Sequence, residues 1–389
     1  MVYNPLPAVV LGGPPHRGKS VLAYSLTRAL RERAVPHYLL RAYPPDGEGD
    51  WFHEGEQEVV RHLRIKGARS ERWLPLLRRD VARRHLPLIV DMGGLPTPEQ
   101  ESVLDDCTHG VLLTATKAER EEWAARFAAH GLVLLADLRS DLKGENSLEV
   151  REPVLRGVLA GLEWGRTASG PAFSALVDRL EELFRPFADT LYRHHMETAP
   201  VELVVDLERL ARRMGRDPLR WEPSDLAGVL EYLPAGEMLA LYGRGPNWLY
   251  AAVAVHAFPA AFYLFDARLG WVMAPVLSEG LPEPGGPLEV QVDHSESAVR
   301  MRFLLPDVYL DVEEAAGMVV PPCPSEGLIL EGKLPLWLWA ALARLYAPCL
   351  TWLAVVQPQR ASREAGTAVV ISSRGGPPVG SVLFWDSER

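Results

Sequence analysis

Short apolar runs alternate with amphipathic segments over the first 165 residues of the chain. The runs have the length of buried strands, and the segments repeat their apolar residues at helical spacing. Alternation of this kind indicates a parallel sheet covered by helices. The predicted strands are Ala8–Leu11, Tyr38–Arg41, Leu86–Val90, Gly110–Thr114 and Leu132–Ala136, and the predicted helices are Val21–Arg33, Trp73–Arg84 and Arg120–His130.

Helical patterns also fill the middle of the chain. Apolar residues keep helical spacing from Pro171 to Arg193, where Pro186 is expected to bend or end the helix. Two shorter helical patterns follow, Glu202–Met214 and Ser224–Tyr232, and glycine and proline residues separate them. We interpret these two patterns as a helical connector.

An internal repeat lies beyond the connector. The residues from Gly243 to Ala252 match those from Gly332 to Ala341. Each copy is predicted to hold a strand, a glycine turn, an apolar helix and two further strands. The copies are too few for a solenoid, so we expect two small modules packed face to face.

Composition and charge exclude several classes of protein. The formal net charge is -10, so no protein-wide positive field is present to hold duplex DNA. The three cysteines, Cys107, Cys323 and Cys349, are far apart and without CxxC spacing, which predicts neither a disulfide framework nor a zinc site and fits a reducing cytoplasm. The N-terminal residues lack the pattern of a secretory signal, and prolines interrupt the apolar stretches Trp248–Phe265 and Trp337–Val356, so no membrane span is expected.

The strongest chemical signal is the segment from Gly13 to Ser20, which reads G-x-x-x-x-G-K-S between a predicted strand and a predicted helix. Backbone amides of such a loop surround phosphate oxygens, the lysine reaches the outer phosphates, and the serine can bind Mg²⁺. An ordinary Gly-Pro turn is the alternative. The predicted nucleotide contacts, for ATP or GTP, are Gly13, His16, Arg17, Gly18, Lys19 and Ser20.

A magnesium site also requires a carboxylate at the end of a buried strand. Asp91 follows Leu86–Val90 and is the candidate, with a turn or N-cap aspartate as the alternative. The predicted metal ligands are therefore Ser20 and Asp91. No catalytic glutamate stands beside Asp91, which favours a kinase over an ATP-driven motor.

A kinase also needs a place for its acceptor. The acidic, aromatic segment from Asp46 to Glu54 follows the second predicted strand, at the edge where open α/β sheets bind ligands. Asp46 or Glu48 could orient an attacking hydroxyl or water. A solvated acidic loop explains the same residues equally well.

These segments divide the chain. We predict an α/β protein with an N-terminal phosphate-loop parallel-sheet domain and tandem ferredoxin-like α/β modules. The predicted domains are residues 1–195, a helical connector at 196–234, and modules at 235–296 and 297–389.

The repeat resembles a known family. The first copy reads Gly-Arg-Gly-Pro-Asn-Trp-Leu-Tyr from Gly243, then Tyr-Leu-Phe-Asp-Ala-Arg-Leu-Gly up to Gly270, and the second copy closes with Val-Val-Ile-Ser-Ser and Val-Gly-Ser-Val. This is similar to the third Csx family of CRISPR-associated proteins, ring nucleases that bind and cleave cyclic tetra-adenylate. Some members carry an N-terminal phosphate-loop domain like that at Gly13–Ser20.

Departures from the family pattern bear on cleavage. Pro259 and Pro348 replace one histidine, and Arg374 follows Ser373 where the pattern has a second histidine. The Asp-Pro-Arg of the pattern is Asp266-Ala-Arg268 in the first copy and is lost in the second. The resemblance therefore implies binding of the ring, and its cleavage stays open, with Asp266 as the catalytic candidate.

The resemblance also implies contacts and partners. The expected contacts to a cyclic oligoadenylate are Gly243, Arg244, Asn247, Arg268, Lys333, Arg360, Ser373 and Arg374. The expected function is that of a type III CRISPR accessory protein, with ATP and Mg²⁺ as cofactors, cyclic oligoadenylate as partner, and assembly into a homo-oligomer. Two alternatives remain: a small-molecule or nucleotide kinase whose repeat is structural, and a non-enzymatic protein gated by nucleotide.

Overall fold

The computed structural model describes most of the chain, namely residues 6–42, 73–163, 165–218, 220–283, 285–294, 298–306, 309–323, 327–357 and 365–386. These residues form a mixed α/β protein rich in parallel strands, as the hydrophobic pattern predicts. They fall into two compact units, described separately below. The first contains residues 6–42, 73–195 and 267–269, and the second contains residues 196–266 and 270–386.

The first unit is built on a seven-stranded sheet with the order β2-β3-β1-β4-β5-β7-β6. Every neighbouring pair is parallel except β6 and β7, which form an antiparallel edge. The strands are β1 (Ala8–Gly12), β2 (Tyr38–Arg41), β3 (Leu88–Asp91), β4 (His109–Thr114), β5 (Val133–Asp141), β6 (Ser147–Val150) and β7 (Leu155–Ala160).

Helices connect and cover these strands. The helices of this part of the chain are α1 (Lys19–Glu32), α2 (Trp73–Ala82), α3 (Pro98–Glu101), α4 (Lys117–Ala129), α5 (Pro171–Phe184) and α6 (Ala188–Glu197). Pro186 lies in a short 3-10 segment between α5 and α6, so the expected bend occurs there. The inner faces of α1 and α5 pack with β1 into one apolar core, in which Leu11, Leu22 and Leu180 are fully buried.

The second unit contains two larger sheets. A four-stranded sheet has the order β11-β10-β9-β8, and a six-stranded sheet has the order β13-β14-β16-β17-β18-β19. The strands of the first are β8 (Val204–Asp206), β9 (Leu239–Tyr242), β10 (Phe262–Asp266) and β11 (Gly270–Met273). Those of the second are β13 (Glu289–His294), β14 (Ala298–Leu304), β16 (Gly327–Gly332), β17 (Trp352–Val356), β18 (Ala365–Ser373) and β19 (Val382–Asp386).

A small ribbon and short helices complete this unit. The ribbon pairs β12 (Ser278–Glu279) with β15 (Val319–Val320) in parallel. The helices are α7 (Leu207–Arg213), α8 (Leu226–Tyr232), α9 (Asn247–His256), α10 (Val312–Ala315) and α11 (Leu336–Tyr346). Helices α9 and α11 pack against each other, and α9 also contacts β17 and β18 of the six-stranded sheet. They are apolar over most of their surface because most of their residues are buried.

The two copies of the repeat have the same topology. In each, two parallel strands are followed by a helix, a third parallel strand and an antiparallel fourth: β8, β9, α9, β10 and β11 in the first, and β14, β16, α11, β17 and β18 in the second. The ferredoxin-like prediction implies an antiparallel sheet. The observed sheets differ because a single crossover helix joins adjacent strands and thereby makes them parallel.

One predicted helix was too long. The pattern from Glu202 to Met214 predicts a helix throughout, whereas the helix begins only at Leu207. Val204–Asp206 instead forms the edge strand β8, which pairs with β9. Pairing with a distant strand outweighs local periodicity here. Among the residues that the structure describes, every helix is too short or too polar to cross a bilayer.

Candidate functional site

The segment from Gly13 to Ser20 connects the end of β1 to the start of α1, as the sequence predicts. Gly18 takes a left-handed conformation with φ of 82°, and Gly13 has φ of 148°. A Cβ atom at Gly13 would lie 2.0 Å from the carbonyl oxygen of Leu113, and one at Gly18 would lie 2.4 Å from Cβ of Leu162. Both glycines are therefore required by close packing of the loop as well as by its backbone conformation.

Lys19 folds back over this loop. Its Nζ donates to the carbonyl oxygens of Gly13, at 2.6 Å, and Pro14, at 2.7 Å. Burial lowers the pKa of Lys19 to about 8, the negative charge of Asp91 opposes this shift, and the positive charge of Arg17 adds to it. The ammonium group is thus held in the loop by hydrogen bonds that a phosphate oxygen could replace.

Asp91 lies at the end of β3, the strand between β2 and β1. It is in register with Leu11 on one side and Arg41 on the other, and its side chain is buried beside Lys19. Ser20 occupies the first turn of α1 and is half-buried. A carboxylate and a hydroxyl beside the loop from Gly13 to Ser20 offer the oxygen ligands that Mg²⁺ prefers, and the assignment of Ser20 and Asp91 as its ligands stays a prediction.

Arg17 makes a contact that sequence reasoning missed. Its guanidinium forms a two-point ion pair with Glu119, at 2.5 Å and 3.2 Å. Glu119 also accepts a hydrogen bond from the backbone N–H of Ala115, at 2.8 Å, and the hydrogen bond from Arg17 contributes most to lowering its pKa. The Thr116-to-Glu119 capping box at the start of α4 was the available signal. His16 is exposed with φ of 62°.

Three predicted site residues lie outside the described part of the chain. They are Asp46, Glu48 and Arg360. The acceptor loop of the kinase hypothesis therefore stays a prediction from sequence.

In the second unit, α9 and α11 run side by side in the same direction. Near their ends, Arg344 of α11 donates from Nη1 to the carbonyl oxygen of Ala254 in α9, at 3.0 Å. Near their starts, Asn247 of α9 donates from Nδ2 to the carbonyl oxygen of Val356, at 3.1 Å, where β17 ends. Since β16 is parallel to β17 and leads into α11, both helices begin at the same edge of the unit.

The carboxyl ends of β9 and β10, in the first copy, place several predicted residues at this edge. Gly243 follows β9, and its carbonyl oxygen accepts a hydrogen bond of 2.6 Å from the hydroxyl of Tyr250. Asp266 ends β10, which is parallel to β9. Burial raises the pKa of Tyr250, and the nearby charge of Asp266 raises it further. Arg244 is exposed in the loop between β9 and α9.

The second copy contributes Lys333 to the same edge. Gly332 ends β16, and Lys333 follows it as a half-buried residue. Gln357 stands just past the end of β17, where the first copy has Asp266. Its side chain is neutral and buried. The structure thus brings together Gly243, Arg244, Asn247, Asp266 and Lys333 at one edge.

Two other predicted contacts, Ser373 and Arg374, lie at the opposite end of β17, and a third, Arg268, is buried. Ser373 is paired with Trp352 at the start of β17, which is the opposite end of that strand from Val356. Arg374 is exposed there and donates from Nη1 to the carbonyl oxygen of Pro348, at 2.9 Å. Arg268 belongs to the first unit, where it is buried with its guanidinium 3.8 Å from the Asp80 carboxylate.

Two tryptophans at the starts of the helices are core residues. Trp248 and Trp337 are both 0% exposed. They are therefore unavailable for stacking on a base.

Comparison with known protein families bears on the second copy. Residues 304–383 match the family model of the CRISPR-associated protein Cas_csx3. The match supports a Csx3 domain in this part of the chain, and it runs from the end of β14 into β19, including β16, α11, β17 and β18. No curated protein matches the chain. This part of the chain is therefore similar to a CRISPR-associated family.

Proposed function

We propose that this protein is a type III CRISPR accessory protein that binds a cyclic oligoadenylate, cyclic tetra-adenylate above all, through its second unit. The observation that carries the proposal is the common edge at which α9 and α11 begin. It places two related glycine loops, one from each copy, next to each other. A ligand made of repeated identical nucleotides matches a site made of repeated modules.

The chemistry of this edge suits an anionic ring. Helices α9 and α11 each turn the positive end of the helix dipole toward it. Arg244 and Lys333 add one cation from each copy, and both can form charge-assisted hydrogen bonds with phosphate oxygens. The ring would therefore contact the two loops through its phosphates.

We propose binding as the primary function of this site. Asp266 offers one carboxylate that could act as a general base, while its counterpart Gln357 cannot take up a proton. Any cleavage would then depend on the first copy alone.

Calorimetry with cyclic tetra-adenylate tests the ring site. Replacing Arg244 and Lys333 together by alanine should weaken binding by about 100-fold or more, since each charge-assisted hydrogen bond contributes roughly 1.5–3 kcal/mol. Arg374→Ala is the matched control, because this arginine lies at the opposite end of β17. The proposal is wrong if the wild-type protein gives no binding heat, or if the control weakens binding as much as the double variant.

We also propose that the first unit binds ATP with Mg²⁺ at the loop from Gly13 to Ser20 and transfers its terminal phosphoryl group. The position of Lys19, buried over the loop and held by two carbonyl oxygens, supports this. ATP phosphates would take over these hydrogen bonds. Ser20 and Asp91 would hold Mg²⁺, which would neutralise charge on the phosphates.

Radiolabelled ATP tests this second activity. Lys19→Ala should abolish release of labelled phosphate and its transfer to an acceptor, and Asp91→Asn should do the same through loss of the metal. The control is Lys117→Ala in the same unit, because the Lys117 side chain is 84% exposed and paired with Glu121. Turnover that survives Lys19→Ala would contradict the proposal. The labelled product distinguishes hydrolysis, which gives inorganic phosphate, from the kinase alternative.

A further inference from the structure

Two of the cysteines that are distant in sequence meet in the second unit. Cys323 precedes β16, and Cys349 ends the 3-10 turn that follows α11. Glu279 joins them from the ribbon strand β12. Their ligand atoms, two thiol sulfurs and a carboxylate oxygen, all lie within 4.8 Å of one another.

Backbone and side-chain contacts fix the segments that carry these three residues. The ribbon pairs Glu279 with Val320, three residues before Cys323. The hydroxyl of Tyr346, at the end of α11, donates to the carbonyl oxygen of Pro321 at 2.6 Å. The thiol of Cys323 in turn lies 4.0 Å from the carbonyl oxygen of Tyr346. The cluster is therefore positioned by the fold and does not depend on a single flexible loop.

The spacing of the three groups is close to that of a metal centre. In a tetrahedral zinc site with Zn–S bonds of about 2.3 Å, two sulfur atoms lie about 3.8 Å apart. The 4.8 Å limit within this cluster exceeds that value by about an ångström. Rotation of exposed side chains covers such a difference, and both Glu279 and Cys349 are exposed.

We propose that Glu279, Cys323 and Cys349 form a binding site for a thiophilic divalent cation, with Zn²⁺ as the ion that this donor set fits best. Two thiolates select a soft or borderline ion over Mg²⁺ or Ca²⁺, which take oxygen ligands. Cation binding releases one proton from each thiol, and the ion together with two thiolates and one carboxylate carries a net charge of -1. A water molecule would fill the fourth position.

The site would link three segments that are separate in the chain. It joins the β12 ribbon, the residues before β16, and the turn after α11. Because a metal that binds only the folded state stabilises it, Zn²⁺ should raise the melting temperature of the second unit. The effect is independent of any nucleotide, so its failure would leave the proposed function untouched.

Titration of the reduced full-length protein with Co²⁺ tests the donor set, and titration with Zn²⁺ tests the stoichiometry. We expect one ion per chain, a thiolate-to-cobalt charge-transfer band, and displacement of Co²⁺ by Zn²⁺. Cys323→Ser and Cys349→Ser should each remove stoichiometric binding and weaken the band. Glu279→Gln should weaken binding and keep the band, because both thiolates remain.

Cys107→Ala is the matched control. Cys107 is buried in the first unit, and burial raises the pKa of its thiol to about 12, so removing it should leave the band and the stoichiometry unchanged. The proposal is overturned if the wild-type protein gives no band, if the band survives both serine variants, or if the two thiols are found only as a disulfide whose reduction does not restore binding. A Zn²⁺-dependent rise in melting temperature that is lost in Cys349→Ser would support it independently of the optical signal.

Discussion

The pH dependence of ATP binding should follow the charge of Lys19. Burial lowers the pKa of this lysine to about 8 in the free protein. At that value the side chain is about 90% charged at pH 7 and about 10% charged at pH 9. Bound phosphates would raise its pKa again, because they stabilise the charged form. ATP binding above pH 8 must therefore be accompanied by uptake of a proton.

The magnitude follows from these fractions. The dissociation constant for ATP should rise about tenfold between pH 7 and pH 9, which corresponds to about 1.4 kcal/mol. The phosphates of ATP do not contribute to this change, since secondary phosphate pKa values lie near 6. The sign is fixed: affinity falls as pH rises through the pKa of the free protein.

Fluorescence anisotropy of a labelled ATP analogue, measured from pH 6.5 to 9.5 at constant ionic strength, checks this prediction. Lys19→Arg keeps a charge through this range and should flatten the profile. Lys19→Ala should bind more weakly and also give a flat profile. A wild-type profile without slope, or an equal slope in Lys19→Arg, would refute the link between Lys19 and the phosphates.

Three further predictions concern packing and stability. Gly13→Ala places a Cβ atom 2.0 Å from the carbonyl oxygen of Leu113 and should lose ATP binding and about 2 kcal/mol or more of stability, as measured by calorimetry and urea unfolding. Phe127→Ala removes a side chain that is 2% exposed and should lower the free energy of unfolding by about 3–5 kcal/mol, which thermal melting would detect. A decrease below about 1 kcal/mol would contradict the observed packing. Arg344→Ala removes the 3.0 Å hydrogen bond to Ala254 and should lower the free energy of unfolding by about 1–3 kcal/mol. Arg344→Lys should restore part of that stability.

Local patterns in the chain were enough to predict much of the first unit. Helical and strand periodicity located β1, β2, α1 and α4 to within a few residues. The signal is strong there because each element buries one regular face or run against a single sheet. The loop from Gly13 to Ser20 was predicted in its position between β1 and α1 for the same reason, since all its residues are contiguous.

Where the prediction from sequence was wrong or incomplete, pairing between distant parts of the chain determined the structure. Val204–Asp206 has a helical pattern, yet it forms a strand because β9 offers its backbone a partner. The ion pair between Arg17 and Glu119 depends on β4 bringing α4 beside the loop. Both contacts join residues that lie far apart in sequence, 102 positions apart in the ion pair, so the local capping box locates the start of α4 but not the partner of Glu119.

The sequence by itself determined the α/β class, the repeat and the position of the loop from Gly13 to Ser20, because hydrophobic periodicity and contiguous motifs are local properties. Only the tertiary structure decided which distant side chains share a site. In the folded protein, Lys333 lies at the edge where Asn247 donates a hydrogen bond to the end of β17, whereas Arg374 lies at the other end of that strand. Cys323 and Cys349 lie close together although they are distant in sequence. Strand direction and helix crossover set these positions, and both depend on the whole chain being folded.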